Sequence, residues 1–272
     1  TEDAWRYAFA FAIPCGTPGL RFLCRESFDL DRSNFDHPLG SRFEEMDAII
    51  FMDDVFVPWE RVFLYRDVDL ANNLSPRTHQ YNHSGHQVVT KNVAKCEFVL
   101  GVAAMMVEIL GSETIGQVHA LLAELIENLE VMKALLCASE IDAFLDEWGV
   151  MCPATIPITV ARNMFIRMYP RMVEIIQLLG SSSLMALPSE VDFNGPLGEE
   201  IEQYMDTDTA TARERVQLFR LAWDLTCSSF GSRQVLYERY FQGDWIRNAS
   251  VLFGSYDTED LMQQVRDFLA RS

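Results

Sequence analysis

The chain has 272 residues, of which 49% are hydrophobic and 11% aromatic, so it holds enough apolar material for a folded core and is not a disordered chain. Its formal net charge is −18, which disfavours nucleic acid and anionic membranes as partners because both repel an acidic surface. No apolar run approaches the roughly 18 residues of a membrane span, and no signal peptide is visible.

The six cysteines are scattered and form no CxxC pair, which is unlike the dense framework of a small disulfide-rich secreted domain. This pattern predicts reduced, mostly buried thiols in a cytoplasmic protein. The spacings of cysteine and histidine do not converge on a zinc motif, so the sequence predicts no metal. The cysteines are Cys15, Cys24, Cys96, Cys137, Cys152 and Cys227.

The first seventy residues favour strands, because short apolar and aromatic runs alternate with turn residues. A polar, turn-rich segment at residues 26–41 interrupts them and is predicted to be a long loop. This stretch is too short for a closed barrel or a complete sandwich, so we expect an upstream segment to complete it. The predicted strand segments are residues 4–14, 20–25, 48–51, 55–57 and 59–65.

Beyond residue 75 the apolar positions step by three and four residues, the period of amphipathic helices. Four such stripes occupy residues 98–109, 118–136, 161–179 and 216–230, and a final short helix is predicted at 258–270. Thr114 with Gln117 and Thr211 with Glu214 have the spacing of capping boxes.

The predicted fold class is therefore α+β and mostly α. Residues 1–72 are predicted to be the C-terminal part of a β-domain, and residues 73–272 a C-terminal four-helix bundle.

The loop at residues 35–43 is the first candidate site. Its pattern alone favours an ordinary surface turn. The alternative is a loop that covers a substrate, with Phe35 in its wall and with His37 and Arg42 facing a phenol or a carboxylate.

A histidine cluster at His79, His83 and His86 is the second candidate. A metal site there is conceivable, but the intervening Asn82, Ser84 and Gly85 favour a loop or a frayed helix start. No carboxylate lies nearby in sequence to complete a ligand set. A polar edge of an active site or a solvated helix start is the favoured interpretation.

Two runs of small residues at predicted helix ends, 180–183 and 230–234, form the third candidate. Backbone N–H groups at such ends suit a phosphate oxygen, and Arg233 would add positive charge. Plain helix capping explains the same pattern. The sequence contains no GxGxxG motif and no P-loop.

Several segments, in order along the whole chain, together resemble the oxygenase component of the 4-hydroxyphenylacetate 3-monooxygenase (HpaB) family. The most specific parts are residues 55–61 and 231–238. The segments are residues 11–14 (FAIP), 17–19 (TPG), 37–43 (HPLGSRF), 45–48 (EMDA), 53–62 (DDVFVPWERV), 64–67 (LYRD), 188–189 (PS), 231–234 (GSRQ) and 236–238 (LYE).

The resemblance implies an acyl-CoA dehydrogenase-like fold and a homotetramer that takes reduced FAD from a separate flavin reductase. With O₂ it would hydroxylate a small phenol, such as 4-hydroxyphenylacetate, ortho to the hydroxyl group. The loop residues Phe35, His37 and Arg42 would then face the substrate, and the family's catalytic residues are expected upstream of Thr1. The implied cofactor-binding residues are Gln177, Ser181, Ser182, Gly231, Ser232 and Arg233.

Two alternatives stay open from the sequence. One is a biosynthetic hydroxylase of the same family that acts on a larger or carrier-bound phenol. The other is a non-catalytic helical assembly module, which the four clean apolar stripes would also serve.

Overall fold

The computed structural model describes residues 3–29 and 31–271. Two small antiparallel sheets form its first part: β1 (Phe9–Phe11) pairs with β4 (Val62–Tyr65), and β2 (Leu20–Cys24) pairs with β3 (Ala48–Met52). Asp53, the residue after β3, donates its backbone N–H to the Gly19 carbonyl. Gly19 has φ +85°, and a Cβ there would lie 2.3 Å from the Asp53 carbonyl oxygen, so only glycine fits this turn.

The strand predictions at 20–25 and 48–51 are confirmed, and the others hold in part or fail. The segment 4–14 contains a 3₁₀ turn (Ala4–Tyr7) before the three-residue β1, and 59–65 starts with a 3₁₀ turn (Trp59–Arg61) before β4. Residues 55–57 form no strand, so that prediction is wrong. They are followed by Pro58, which lacks the N–H that a sheet ladder needs.

Helices make up most of the chain, and the fold is α+β and mostly α, as predicted. A short hairpin interrupts them, and its two strands, β5 (Phe144–Leu145) and β6 (Met151–Cys152), have two residues each. The helices are α1 (Gly40–Phe43), α2 (Val68–Arg77), α3 (Gln80–Ile109), α4 (Gly116–Ile141), α5 (Thr155–Gly180), α6 (Gly198–Met205), α7 (Ala212–Thr226), α8 (Ser229–Tyr240), α9 (Trp245–Ser255) and α10 (Glu259–Ala270).

The core lies where α3, α4 and α5 pack against one another and α7 packs on α3 and α5. The predicted stripes of α4 and α5 face this core: Leu125 and Met132 are buried on α4, and Phe165 and Met172 on α5. Burying one large aliphatic side chain stabilises the fold by about 1.5 to 3 kcal/mol, so these stripes hold the helices together.

The buried face of α3 is rotated around the helix axis relative to the predicted apolar stripe. Its buried face includes Val99, Val102 and Met106, whereas Phe98 and Met105 are exposed. The helix also begins at Gln80, well before the predicted segment. The exposed pair lies on a cleft described below, which explains why apolar residues occupy that face.

The fourth predicted helix is in fact two helices. The chain breaks at Cys227 and Ser228, where α7 ends and the Ser228 hydroxyl caps α8 by accepting from the Gly231 amide. The capping box of Thr211 and Glu214 is confirmed, whereas α4 starts after Ile115 without a side-chain cap.

The final predicted helix is confirmed as α10, and α9 was not predicted. Large apolar side chains on both helices are exposed, including Trp245, Phe253 and Phe268. In the described part of the chain, each helix is too short or too polar to cross a bilayer.

All six cysteines are unpaired, as predicted. The expectation that most of them are buried is wrong, because only Cys96 and Cys152 are. The other four lie on strands, loops or helix faces that point away from the core.

Candidate functional site

Asp224 of α7 fixes the candidate substrate loop to the helices. Its side chain is 1% exposed, and its Oδ2 accepts hydrogen bonds from the backbone amides of Leu39 (2.7 Å) and Gly40 (2.8 Å). His37 Nδ1 lies 3.8 Å from Oδ1 of the same carboxylate. A buried carboxylate is tolerated where such donors replace water, so Asp224 determines the position of residues 37–40.

Phe35 holds the other end of the loop by packing rather than by facing an open site. It is buried, its ring meets Phe193 edge-on at 6.0 Å, and the Arg213 guanidinium lies 5.0 Å from its centroid. Next to Phe35 in the sequence, Asp36 places its Oδ1 3.4 Å from Arg220 Nε, which also donates to the Pro188 carbonyl. Phe35 therefore anchors the loop by packing, and its contact with substrate stays a prediction.

Arg42 lies at a cleft of about 640 Å³ between this loop, α3 and α7. Its side chain is exposed and has no ionic partner among the described residues. The cleft walls are largely apolar, and they include the outward-facing Phe98 and Met105 of α3 and Leu221 of α7. Ligand clefts typically combine such walls with a few polar groups, so Arg42 is the cationic group that a bound anion would meet.

The predicted cofactor residues of α5 lie near the junction between α7 and α8. Gln177 Nε2 donates to the Thr226 carbonyl (3.2 Å). Ser181 ends α5 with φ +46°, and Ser182 follows in a 3₁₀ turn, with both serines exposed. Ser182 also lines a smaller pocket of about 300 Å³ with Phe219.

Gly231 allows α8 to turn tightly against the end of α7. A Cβ at Gly231 would lie 2.6 Å from the Leu225 carbonyl oxygen, which is closer than packed atoms approach. Ser232 is exposed on the first turn of α8. Asp224, Gln177 and Gly231 thus bring the loop, the end of α5 and the start of α8 to one junction.

Arg233 is engaged in ion pairs that link α8 to the strand-rich part. Its Nε donates to Asp47 Oδ2 (2.9 Å), and its Nη1 lies 3.2 Å from Glu45 Oε2. Arg25 Nε also donates to Asp47 Oδ2 (2.9 Å). Arg233, and then Arg25, hold the pKa of the Asp47 carboxyl well below its usual range. In this arrangement a phosphate would have to compete with two carboxylates for Arg233.

Asp47→Asn is expected to lower the free energy of unfolding by about 1 kcal/mol near neutral pH, because the pair is partly exposed and screened by water. The folded pKa of Asp47 is lowered, so its contribution is present above the unfolded pKa of about 3.9 and is lost on acidification through the folded value. Urea unfolding at several pH values should show the difference from wild type shrinking below about pH 4.

Asp53→Asn is the matched control for this change. Asp53 lies in the same strand-rich part and pairs with Arg21 at 3.5 Å, but both side chains are mostly exposed. It should leave stability within about 0.5 kcal/mol of wild type. Equal effects of the two changes would contradict the assigned role of Asp47.

The histidine cluster separates in the structure. His86 Nε2 lies 2.8 Å from Glu140 Oε1, whereas His79 and His83 lie beside the β5–β6 hairpin. The carboxylates that accompany these histidines in space come from distant parts of the sequence. Asp146 of the hairpin is near in space, although it is more than sixty positions away in sequence.

Sequence reasoning did not identify Asp224 as a site residue. One signal was available: an aspartate within the apolar stripe of a helix must have buried partners if the helix packs there. The identity of those partners, the amides of a loop 184 and 185 positions away, is decided only by the tertiary fold.

Comparison with known proteins reveals the family. Residues 71–270 match the model described as "4-hydroxyphenylacetate 3-hydroxylase C terminal", and residues 1–64 match the corresponding N-terminal model. The 4-hydroxyphenylacetate 3-monooxygenase oxygenase component of Thermus thermophilus is 47% identical over 98% of this chain. The chain covers 56% of that relative's length.

Solved structures match equally well. The crystal structure of the oxygenase component (HpaB) of 4-hydroxyphenylacetate 3-monooxygenase superposes with a TM-score of 0.95 at 46% identity, covering all of this chain and 58% of that one. A structure of HpaB complexed with FAD and 4-hydroxyphenylacetate gives a TM-score of 0.93 at 47% identity, over 97% of this chain and 56% of that one. Because the C-terminal family model alone spans most of the sequence, this chain belongs to the 4-hydroxyphenylacetate 3-hydroxylase family.

Proposed function

We propose that the protein containing this chain is the oxygenase component of a two-component monooxygenase, which uses reduced FAD and O₂ to hydroxylate a phenol ortho to its hydroxyl group. The observation that carries the proposal is the close likeness, over 97% of the chain, to a structure complexed with FAD and 4-hydroxyphenylacetate. The preferred substrate is therefore a small phenol of that kind, with the reduced flavin supplied by a separate reductase.

The residues present are compatible with the flavin. The cleft of about 640 Å³ has the size and the largely apolar walls that suit a large ligand, and it offers Arg42 as a cation beside the carboxylates of Glu108 and Glu214. Reduced FAD, when bound, supplies the activation of O₂. The chain's own residues exclude water through the walls of the cleft and attract negative charge through Arg42.

Each candidate residue has a distinct proposed role. Gln177, Ser181 and Ser182 on one side offer polar groups to the cofactor. The N-terminal turn of α8 also offers polar groups to the cofactor, from the opposite side. Arg42 binds an anionic group of cofactor or substrate, while His37 is oriented by Asp224. The cofactor residues on α8 are Gly231, Ser232 and Arg233.

The proposed architecture follows the sequence division. Residues 1–72 are part of a β-domain, and residues 73–272 form the C-terminal domain, in which α3, α4, α5 and α7 make a four-helix bundle. The exposed apolar faces of α9 and α10 support assembly into a homotetramer, since large exposed apolar patches favour protein contacts. Six unpaired cysteines are compatible with a reducing cytoplasm.

Arg42→Ala is expected to weaken binding of reduced FAD, or to raise the KM for the phenol, by about tenfold, which corresponds to one lost charge-assisted contact of about 1.4 kcal/mol. The intact protein should be titrated anaerobically with reduced FAD and then mixed with O₂ and 4-hydroxyphenylacetate. Arg32→Ala is the control, because Arg32 is an exposed arginine on the same loop.

The outcomes separate the candidate functions. A wild-type protein that binds no reduced flavin and forms no catechol would overturn the proposal. If it nevertheless formed a stable oligomer by light scattering, with or without FAD, the assembly module would be favoured. Turnover of a carrier-bound phenol with poor turnover of 4-hydroxyphenylacetate would favour the biosynthetic hydroxylase.

A further inference from the structure

Four residues with metal-binding side chains meet where the β5–β6 hairpin contacts the junction of α2 and α3. His79 lies between those helices, and His83 is on the first turn of α3. Asp146 and Cys152 come from the hairpin. This group is remote in sequence from the loop and helix ends described above, and the proposed flavin chemistry makes no use of it.

The ligand atoms are close enough for a small ion. One atom each from His79, Asp146 and Cys152 lies within 4.8 Å of the others. His83 Nε2 is 3.5 Å from Cys152 Sγ. Ligand atoms around tetrahedral zinc are about 3.3 to 3.8 Å apart, given bond lengths of about 2.0 to 2.3 Å. The ligand atoms of His79, Asp146 and Cys152 would have to approach one another by about 1 Å, which side-chain rotation can supply, and His83 joins them from beside Cys152.

The surroundings orient these side chains toward one another. Asp146 Oδ1 accepts from the backbone amides of Trp148 and Val150, both at 2.8 Å, which leaves Oδ2 facing Cys152 Sγ at 3.9 Å. The Phe144 ring and the His79 imidazole form a T-shaped contact, with centroids 5.3 Å apart. Such supporting contacts typically orient metal ligands.

The hairpin is also held in place independently of any ion. Asn82 Nδ2 donates to the Pro153 carbonyl and to Thr155 Oγ1, both at 2.8 Å, and the Ala154 amide donates to the Ser139 carbonyl at 2.9 Å. These contacts bring β6 to the start of α3 before any ion binds. The ligand set is therefore close to preformed, which reduces the entropy lost on binding.

We propose that His79, His83, Asp146 and Cys152 bind one zinc ion with four protein ligands. A thiolate and two imidazoles favour zinc over magnesium or calcium, which prefer oxygen ligands. Four protein ligands leave no open position, so the ion is structural and ties the hairpin to α3. Cys152 is 0% exposed while His83 is exposed, so the ion enters from the His83 side.

Binding must displace a proton. Zinc binds the thiolate form of cysteine, so the Cys152 thiol gives up its proton on binding. The Zn–S bond forms as the S–H bond breaks, and the proton passes to the solvent. No change in oxidation state is involved.

The test uses the intact protein, stripped with a chelator and titrated with Co²⁺ and then Zn²⁺. We expect one equivalent of Co²⁺ per chain, with the intense visible bands of tetrahedral cobalt and a near-ultraviolet thiolate-to-cobalt band. Zn²⁺ should displace the cobalt and raise the unfolding temperature. Cys152→Ser should abolish the thiolate band, and His83→Ala should weaken Zn²⁺ binding at least tenfold.

Two matched controls accompany these variants. Cys137→Ser removes an exposed thiol, and His86→Ala removes the histidine that pairs with Glu140; neither should alter Co²⁺ binding. Because His83 is exposed, its variant should fold even if Cys152→Ser does not. A weak octahedral cobalt spectrum, or Zn²⁺ affinity unchanged in His83→Ala, would overturn the proposal, whether or not the protein hydroxylates phenols.

Discussion

Glu238→Ala is expected to lower the free energy of unfolding by about 3 to 5 kcal/mol, because it leaves two partly buried lysines without their counter-charge. Glu238 of α8 is 0% exposed, and its carboxylate lies 2.5 Å from Lys91 Nζ and 2.5 Å from Lys95 Nζ. Urea denaturation followed by circular dichroism would measure the loss.

The lysines cannot easily find other partners. Lys95 Nζ also donates to Gln234 Oε1 (2.8 Å), but the remaining neighbours are mainly aromatic rings. The centroid of the Tyr169 ring lies 4.9 Å from Lys95 Nζ, and that of the Phe165 ring lies 5.4 Å from Lys91 Nζ. Cation–π contacts contribute about 0.5 to 2 kcal/mol each and do not replace a buried carboxylate. The free energy lost therefore remains large after local rearrangement.

The pH dependence gives a second measure of this site. Burial lowers the pKa of Lys91 below its usual range, and Glu238 opposes that shift. Removing Glu238 lowers the folded pKa further. Between the folded and unfolded pKa values the unfolded state binds more protons, so stability rises with pH. The deficit of Glu238→Ala should therefore shrink as the pH rises from about 7 toward 10.

Glu174→Ala serves as the control for Glu238→Ala. Glu174 pairs with Arg171 on the surface of α5, with 56% of its side chain exposed. Surface pairs contribute about 0 to 1 kcal/mol. If the two variants lost equal stability, or if the deficit of Glu238→Ala were independent of pH, the buried charge cluster would not be the stabilising element described.

Asp224→Ala is expected to destabilise the protein by about 2 to 4 kcal/mol, because two buried amides, those of Leu39 and Gly40, lose their acceptor. The loop that carries His37 and Arg42 would then lose its fixed position. We therefore also expect hydroxylation by the intact protein to fall by at least tenfold, even below the unfolding temperature, if the loop borders the substrate as proposed.

Two further variants separate stability from positioning. Asp208→Ala removes an exposed aspartate from the segment before α7 and should leave both properties unchanged within about 0.5 kcal/mol. Asp224→Asn keeps one oxygen that can accept from the amides and should recover much of the stability. Increased protease cleavage within residues 31–43 of Asp224→Ala would report the released loop, whereas unchanged cleavage would contradict the anchoring role.

Local patterning was enough to predict the class of the fold and its main helices. The stripes of α4 and α5 are regular because every third or fourth residue faces the same core. The helical repeat therefore places apolar residues at regular intervals along the sequence. The phase of α3 was predicted wrongly because the apolar Phe98 and Met105 line a cleft, and periodicity cannot distinguish a cleft from a core.

The family resemblance was likewise readable from ordered short motifs, and comparison with known proteins confirms it. What those motifs could not convey is which residues meet. The break between α7 and α8 depends on a Ser228 cap, and the β5–β6 hairpin is too short for any period to be detected.

The decisive contacts were all determined by tertiary packing. Asp224 reaches the loop at Leu39, Glu238 reaches Lys91, and Cys152 reaches His83, across sequence separations of 185, 147 and 69 residues. Hydrophobic burial is non-directional and leaves a periodic trace along the chain, so it can be predicted locally. A buried charge or ligand group needs one partner at hydrogen-bond distance, and only the folded chain determines which residue that is.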